Sequence, residues 1–113
     1  MSARILIVTT DEVPGRKVVQ AHGLVRGSSV RARSVGRDIV AGMKNLVGGE
    51  MEEYTKLLAE AREQAIDRML AEARARGANA VVGTRFASSE IAKSAAEVLV
   101  YGTAVKLSDA PTP

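Results

Sequence analysis

A long segment without glycine or proline, Glu50–Arg76, limits what this chain can fold into. It is rich in Ala, Leu, Glu, Arg and Met, which are strong helix formers, so it predicts one long helix. Apolar residues recur in it at steps of three and four and form a single stripe: Tyr54, Leu58, Ala61, Ala65, Met69 and Ala73. Because the middle of the stripe is alanine, we expect another element to pack closely there. Gly77 follows and is expected to end the helix in a left-handed conformation.

Apolar, β-branched runs on both sides of this segment are typical of strands. They predict strands over Arg4–Thr10, Arg16–Arg26, Ala80–Phe86 and Ala96–Leu107. Pro14 and Gly15 predict a type II turn between the first two strands. Gly27–Ser29 is expected to interrupt the second strand before Val30–Arg33 resumes it.

Ser34 is a plausible N-cap for a further helix over Val35–Val47, which Gly48 and Gly49 would end. The predicted order is therefore ββααββ, with two hairpins separated by a helical pair. This order favours an α+β domain with a mostly antiparallel four-stranded sheet and the long helix across one face. We expect one domain over residues 1–107 and a disordered tail over residues 108–113.

The composition indicates a small core. Tyr54, Phe86 and Tyr101 are the only aromatic residues, and the last strand is apolar on both faces. One helix cannot cover both faces of such a sheet, so symmetric association with further copies of the chain is expected.

The chain has no cysteine, which fits a reducing compartment, and no apolar run long enough to cross a bilayer. Its first apolar stretch is too short for a signal peptide. These features predict a cytoplasmic protein that has no membrane partner.

Six short segments carry a resemblance to a known family: TTDEVPGR (9–16), GLVRG (23–27), VGRDI (35–39), GGEMEEYTKLLAEARE (48–63), GANAVVGTRF (77–86) and EVLVYGTAV (97–105). Together they resemble the YbjQ-like family of small, uncharacterised bacterial proteins, from about Ile5 to Leu107. The resemblance implies a dodecin-like α+β subunit assembled into a ring, typically a pentamer. It also implies heavy-metal binding, and it supplies no catalytic residues.

The donor residues give little support to heavy-metal binding. Soft metals prefer thiolate, imidazole or thioether ligands, but the chain has no cysteine, one histidine and four scattered methionines. His22 alone makes no site, although copies of it could meet around a ring axis. The carboxylates that could bind a hard cation are Asp11, Glu12, Glu50 and Glu53. Turn and helix-cap roles are the favoured explanation of these carboxylates, and a divalent metal ion is the one cofactor to test.

A basic stretch, Arg26–Arg37, contains Arg26, Arg31, Arg33 and Arg37. A ring would multiply it into a positive zone that could bind phosphate, nucleic acid or another acidic ligand. No base-stacking aromatic residue lies nearby in sequence, which argues against single-strand recognition. Salt bridges between subunits, or a plain solvated face, are the structural alternatives.

Arg85 and Tyr101 are polar exceptions on otherwise apolar strands, and we expect them on neighbouring strands. They could line a pocket for an anion or lie at a subunit interface. The structural alternative is a buried Arg85 paired with a carboxylate such as Glu90 or Glu97.

Common catalytic signatures are missing. The sequence has no Walker A pattern and no second histidine for a HExxH motif. Without cysteine, and with no serine motif near His22, no nucleophile–base pair is indicated. The sequence therefore predicts a non-enzymatic ring that binds a small ligand or metal ion at its subunit interfaces. Nucleic-acid or polyanion binding through the basic stretch is the alternative.

Overall fold

The computed structural model describes residues 4–32, 48–92 and 95–109. The elements in chain order are β1 (Leu6–Ile7), β2 (Val18–Ala32), α1 (Gly48–Ala75), β3 (Ala80–Ala92) and β4 (Ala95–Leu107). The predicted helix over Val35–Val47 lies outside the described residues. None of the described helices is long and apolar enough to span a membrane.

The four strands form one mixed sheet in the order β1-β3-β4-β2. β4 pairs antiparallel with both β3 and β2, whereas β1 pairs parallel with β3. The predicted hairpin of the first two strands is therefore wrong, and the sheet is mixed rather than mostly antiparallel. β1 and β2 lie at opposite edges because β2 finds its partner in β4 along almost its whole length.

Two strands are longer than predicted. β2 continues through Gly27–Ser29 without a break, since these three residues pair in register with Val98–Val100 of β4. β3 continues to Ala92, and its residues Ser88 and Ser89, which lie beyond the predicted strand end at Phe86, pair with β4. Ladder hydrogen bonds between two adjacent strands use only the backbone, so this part of the hairpin forms without an apolar side-chain pattern.

Helix α1 packs against β2 and β4 through the predicted stripe. Ala61, Ala65, Met69 and Ala73 are each 0% exposed, and they belong to one core cluster with Val25, Val100 and Ala104. A Cβ atom at Gly27 would collide with the backbone of Ala65 and Met69. The Ser29 Oγ donates to the Gln64 Oε1 of α1 at 2.6 Å. The expected close approach to the alanine stripe is confirmed.

The end of α1 is a left-handed cap at Gly77, with φ 81°. The Ala78 amide donates to the Ala73 carbonyl at 3.1 Å, and the Gly77 amide donates to the Arg74 carbonyl at 3.0 Å. These two bonds define a Schellman motif, so the predicted helix end is confirmed.

The segment between β1 and β2 covers one end of the sheet face that is turned away from α1, which we call the outer face. Its turn at Val13–Arg16 is confirmed by the Arg16 amide, which donates to the Val13 carbonyl at 3.1 Å, and by Gly15 with φ 81°. Val8 and Val13 pack onto a second buried cluster there: Ala80, Val82, Val105 and Leu107. Farther along the strands, nothing among the described residues covers the outer face.

The chain is elongated. Its extents are 57 × 27 × 25 Å and its radius of gyration is 17.9 Å, whereas a compact chain of this length is expected near ~13 Å. A 28-residue helix and two 13-residue strands each span roughly 40 Å, which explains the shape.

The segment after β4 begins in an ordered way. The Ser108 amide donates to the Lys17 carbonyl at 2.7 Å, and the Arg16 Nε donates to the Ser108 carbonyl at 2.6 Å. Residues 110–113 lie outside the described residues, so the disordered tail stays a prediction.

Candidate functional site

The outer face of the sheet carries three of the polar side chains that the sequence singled out, Arg26, Tyr101 and Arg85. Along β2, Val25, Gly27 and Ser29 are buried on the α1 side. Side chains alternate between the two faces of a strand, so Arg26 lies on the outer face. By the same alternation Tyr101 lies there, because its neighbour Val100 belongs to the core under α1.

Three of these side chains form one row across the sheet. Arg26 on β2 stands opposite Tyr101 on β4, and Tyr101 stands opposite Arg85 on β3. We call Arg26, Tyr101 and Arg85 the Arg–Tyr–Arg row. Both arginines are exposed, and Tyr101 is 37% exposed. The expectation that Arg85 and Tyr101 lie on neighbouring strands is confirmed.

Arg85 is held in place by the backbone. Its Nη1 donates to the Thr9 carbonyl at 2.7 Å and to the Thr84 carbonyl at 2.9 Å. The Arg85 side chain is exposed, and Glu97 stands opposite Ser89, farther along the sheet, so a buried Arg85 paired with Glu97 does not occur in the described part of the chain. The side chain of Glu90 lies outside the described part. The positive charge of Arg85 is therefore not neutralised by a carboxylate in the described part of the chain.

A bulge in β3 fixes the residues that hold Arg85. The register shifts between Val82 and Arg85, and Gly83 adopts φ 62°. The Gly83 amide donates to the Thr10 carbonyl at 2.8 Å, and the Thr84 amide donates to the Val8 carbonyl at 3.1 Å. The chain beyond β1 is thereby tied to the bulge, which brings the Thr9 carbonyl within reach of Arg85.

Asp11 lies beside the same bulge. Its Oδ1 is 3.3 Å from the position that a Cβ atom would take at Gly83. Among the described residues the one ion pair joins Arg76 to Glu72, so Asp11 and Arg85 do not form a salt bridge. Asp11 and the neighbouring Glu12 are exposed residues of the connection from β1 to β2.

The edge of β2 that faces away from β4 binds two arginines, Arg68 of α1 and Arg76, which directly follows α1. The Arg76 Nη1 donates to the carbonyls of His22 at 3.0 Å and Leu24 at 2.8 Å, on either side of Gly23. Gly23 has φ 89° at a register shift of β2. The Arg68 Nη1 donates to the Ser28 carbonyl at 2.6 Å. These carbonyls are therefore not available to an additional strand.

The metal-ligand candidates do not meet in one subunit. His22 lies on the β2 edge and its Nε2 is buried without a hydrogen-bond partner in the described part, whereas Asp11 and Glu12 follow β1 at the opposite edge. Glu50 and Glu53 lie on α1, but their side chains are outside the described residues. No group of three or more His, Asp or Glu residues among the described side chains is close enough to hold a metal ion. Within the described residues, the donors of one chain therefore do not fit a heavy-metal site.

The basic stretch contributes one described side chain, Arg26. Arg31 belongs to β2, but its side chain is outside the described part, and Arg33 and Arg37 lie outside it altogether. The link from Arg26 to Tyr101 was missed by sequence reasoning, because it depends on the pairing of β2 with β4. The structural roles of Arg68 and Arg76 were missed for the same reason.

A concave surface lies on the α1 side of the sheet, near the end of the hairpin that β3 and β4 form. A groove of about 290 Å³ is lined by Leu58 and Arg62 of α1 together with Phe86 and Val98 of the sheet. Phe86 is 50% exposed in it. Arg62 is the one charged side chain among the described residues that line the groove, so their chemistry is mainly that of an apolar contact surface.

Comparison with known proteins identifies the relatives of this chain. A UPF0145 protein of Archaeoglobus fulgidus is 53% identical over 95% of this chain and 99% of its own length. A UPF0145 protein of Thermus thermophilus is 54% identical over 94% of this chain and 93% of its own length. Since relatives occur in archaea, the expectation of a bacterial family is too narrow.

One solved structure supports the fold. The crystal structure of a protein of unknown function from Pediococcus pentosaceus, of the DUF74 family, matches with a TM-score of 0.58. It is 16% identical and covers 92% of this chain and 98% of its own. At this identity the likeness shows the α+β fold and no more.

The family model YbjQ_1, described as "Putative heavy-metal-binding", matches residues 5–108. This match covers the whole sheet and α1 and agrees with the resemblance that the six sequence segments carry. The chain belongs to the YbjQ family.

Proposed function

We propose that this protein is a non-enzymatic, cytoplasmic homo-oligomer that binds a small ligand where its subunits meet. The observation that carries the proposal is the bare outer face, on which exposed apolar side chains surround the Arg–Tyr–Arg row. The assembly is a closed ring, and the resemblance to the family favours a pentamer.

Exposed large apolar side chains support association. Leu24 is 57% exposed and Val30 is 51% exposed, and both share the outer face with Tyr101. Side chains of this size on one face of a sheet are typical of a surface that is covered in the functional assembly. The elongated shape agrees, because a chain with these extents buries less of itself than a compact domain does.

The two sheet edges differ in what they can accept. The edge of β3 that faces away from β4 pairs with the short β1 only at Ala80 and Val81. Beyond these residues, that edge has no strand beside it in the described part. The β2 edge is obstructed by Arg68 and Arg76. We therefore propose that a second copy of this chain packs on the outer face and along the part of the β3 edge that β1 does not cover, and that the β2 edge takes no part in the contact.

Head-to-tail contacts between copies close into a ring when the rotation between them allows it. Such an interface would bring the Arg–Tyr–Arg row of one subunit under residues of its neighbour. A ligand bound in the row would then be enclosed by two copies.

Sedimentation velocity and multi-angle light scattering test the assembly. We expect one species whose mass is several times that of the chain at micromolar concentration. A monomer across the whole concentration range would refute the proposal.

A further inference from the structure

We infer that residues 33–47 of this chain pack into the groove of about 290 Å³ that Leu58 of α1 forms with Phe86 of β3 and Val98 of β4. We call it the β3 groove. Its proposed occupant lies outside the described residues. The groove opens on the α1 side of the sheet, so this assignment does not depend on the proposed assembly through the outer face.

The β3 side of the sheet lacks a cover in the described part. α1 packs over β2 and β4, and Val100 of β4 is fully buried beneath it. Phe86 stands opposite Val100 and therefore shares its face, yet Phe86 is 50% exposed. A large aromatic side chain that is half exposed beside a groove marks a surface that another apolar element covers.

The flank of α1 that faces the β2 edge is already occupied. The Gln64 Oε1 accepts a hydrogen bond from the Ser29 Oγ, and the Arg68 Nη1 donates to the Ser28 carbonyl. Leu58 projects from the flank of α1 that faces β3, at the β3 groove. A segment that packs beside α1 on the sheet therefore finds its apolar surface in this groove.

The segment starts close to the groove. Ala32, the last residue of β2, pairs with Ala95 of β4, and Ala95 pairs with Ala92 of β3. The next residue, Ala96, lines the groove. Paired residues lie about 5 Å apart, so a chain that leaves Ala32 crosses roughly 10 Å to reach β3, and about three extended residues span this distance.

The segment ends where α1 extends beyond the sheet. α1 runs antiparallel to β2, because Gln64 contacts Ser29 whereas Met69, farther along α1, lies at Gly27. β2 continues from Ser29 to Ala32 for about 10 Å, but α1 continues from Gln64 back to its first residue, Gly48, for about 24 Å. The chain therefore enters α1 beyond the end of the sheet.

The length of the segment fits a return path along α1. Leu58 and Gly48 are separated by ten residues of helix, or about 15 Å. Ten helical residues in the opposite direction cover the same distance. The 15 residues from 33 to 47 therefore suffice for the crossing to β3, a helix along the groove and a short turn into α1.

The sequence of the segment suits this position. Four large apolar residues recur at steps of four, four and three and predict one stripe of a helix: Val35, Ile39, Met43 and Leu46. The segment has three basic residues and one acidic residue, whereas residues 50–53 at the start of α1 include three acidic ones. The charges are therefore complementary where the two would lie side by side.

Crosslinking tests the contact in the full-length protein, which has no cysteine of its own. Phe86→Cys is combined in turn with Ile39→Cys, Met43→Cys and Ala41→Cys, and each pair is treated with a short thiol-to-thiol reagent. We expect the first two pairs to link within one chain, seen as a faster monomer band on a non-reducing gel. Ala41 falls on the opposite side of the predicted helix, so its pair is the matched control and should link several-fold less.

The competing occupants give different bands. A link between two chains would show that the segment of a second copy fills the groove, which overturns the assignment to the same chain and leaves the proposed assembly intact. No link in either stripe pair would leave the groove to another occupant and overturns the inference. Equal linking by the Ala41 pair also overturns it, because it indicates random collisions of the segment.

A charge placed on the stripe tests the packing independently. Ile39→Glu should lower the urea concentration at the unfolding midpoint and raise the fluorescence of a dye that binds apolar surfaces several-fold, because it drives the stripe out of the β3 groove. Ala41→Glu adds the same charge off the stripe and should change neither. Equal effects of the two variants would contradict the inference. If Ile39→Glu does not fold, the crosslinked pairs still decide between the outcomes.

Discussion

Two glycines show how differently single residues constrain this fold. Gly27 lies in a strand where a Cβ atom would collide with the backbone of α1, whereas Gly77 has open space around it but requires φ 81°. The first position is limited by packing and the second by the conformation of its own backbone.

Gly27→Ala is expected to lower the free energy of unfolding by about 3 kcal/mol, because a backbone-to-backbone contact cannot relax by rotating a side chain. Gly77→Ala should cost only ~1–2 kcal/mol, the strain of a left-handed alanine. Urea unfolding followed by circular dichroism measures both. Equal costs would contradict the close contact of Gly27 with α1.

The metal-ligand candidates give a second prediction at the residue scale. With no cysteine in the chain and His22 far from Asp11 across the sheet, the protein should not bind Cu(I) or Zn(II) tightly and stoichiometrically. Native mass spectrometry with a panel of divalent and soft metals is the measurement. Nanomolar binding at a fixed ratio would show that donors from several subunits converge, and a His22→Ala variant would then test the one imidazole.

The elements are joined by a few polar contacts in addition to the core. Arg76, at the end of α1, donates across the Gly23 bulge to two carbonyls of β2. This contact fastens the last turn of the helix to the sheet edge and occupies groups that could otherwise recruit a strand.

Arg76→Ala should destabilise the protein by about 1 kcal/mol, since these hydrogen bonds are exposed to water, and it should increase aggregation on heating. Arg76→Lys should recover little, because an ammonium group lacks the planar fork. Arg74→Ala is the control: Arg74 is an exposed cation in the last turn of the same helix. Thermal unfolding measures the stability, and light scattering measures the aggregation. Equal changes in Arg74→Ala and Arg76→Ala would argue against a specific role for the contact of Arg76 with the β2 carbonyls.

At the scale of the whole molecule, the chain is elongated and its outer face is bare among the described residues. In the proposed assembly, association would bury the surface that one helix leaves exposed, so the stability should depend on the concentration of the chain.

Leu24→Glu places a charge on the outer face, opposite Thr103, and is expected to dissociate the assembly. Thr55→Glu adds the same charge to an exposed position of α1 and should not. For the wild type, Tm should rise with protein concentration, and this rise should disappear in Leu24→Glu. Sedimentation velocity gives the masses, and an intact Leu24→Glu oligomer would move the interface away from this face.

Much of the fold could be predicted because it depends on neighbours in sequence. The length of α1, its alanine stripe, the cap at Gly77 and the turn at Gly15 all follow from local propensity and periodicity. The presence of the four strands could be predicted from local patterns in the same way, although β1 is shorter than predicted and β2 and β3 are longer. Among the site residues, Arg85 and Tyr101 were found because β3 and β4 are consecutive in the chain.

The sequence by itself thus determined the elements, the helix-facing stripe and the membership of a family. The tertiary structure alone decided that β1 runs parallel to β3 and that β2 lies beside β4. When a long segment separates two strands, their pairing depends on which of the possible ladders has the most favourable free energy. The sequence of either strand alone does not determine this. The same pairing brought Arg26 to Tyr101 and so assembled the Arg–Tyr–Arg row.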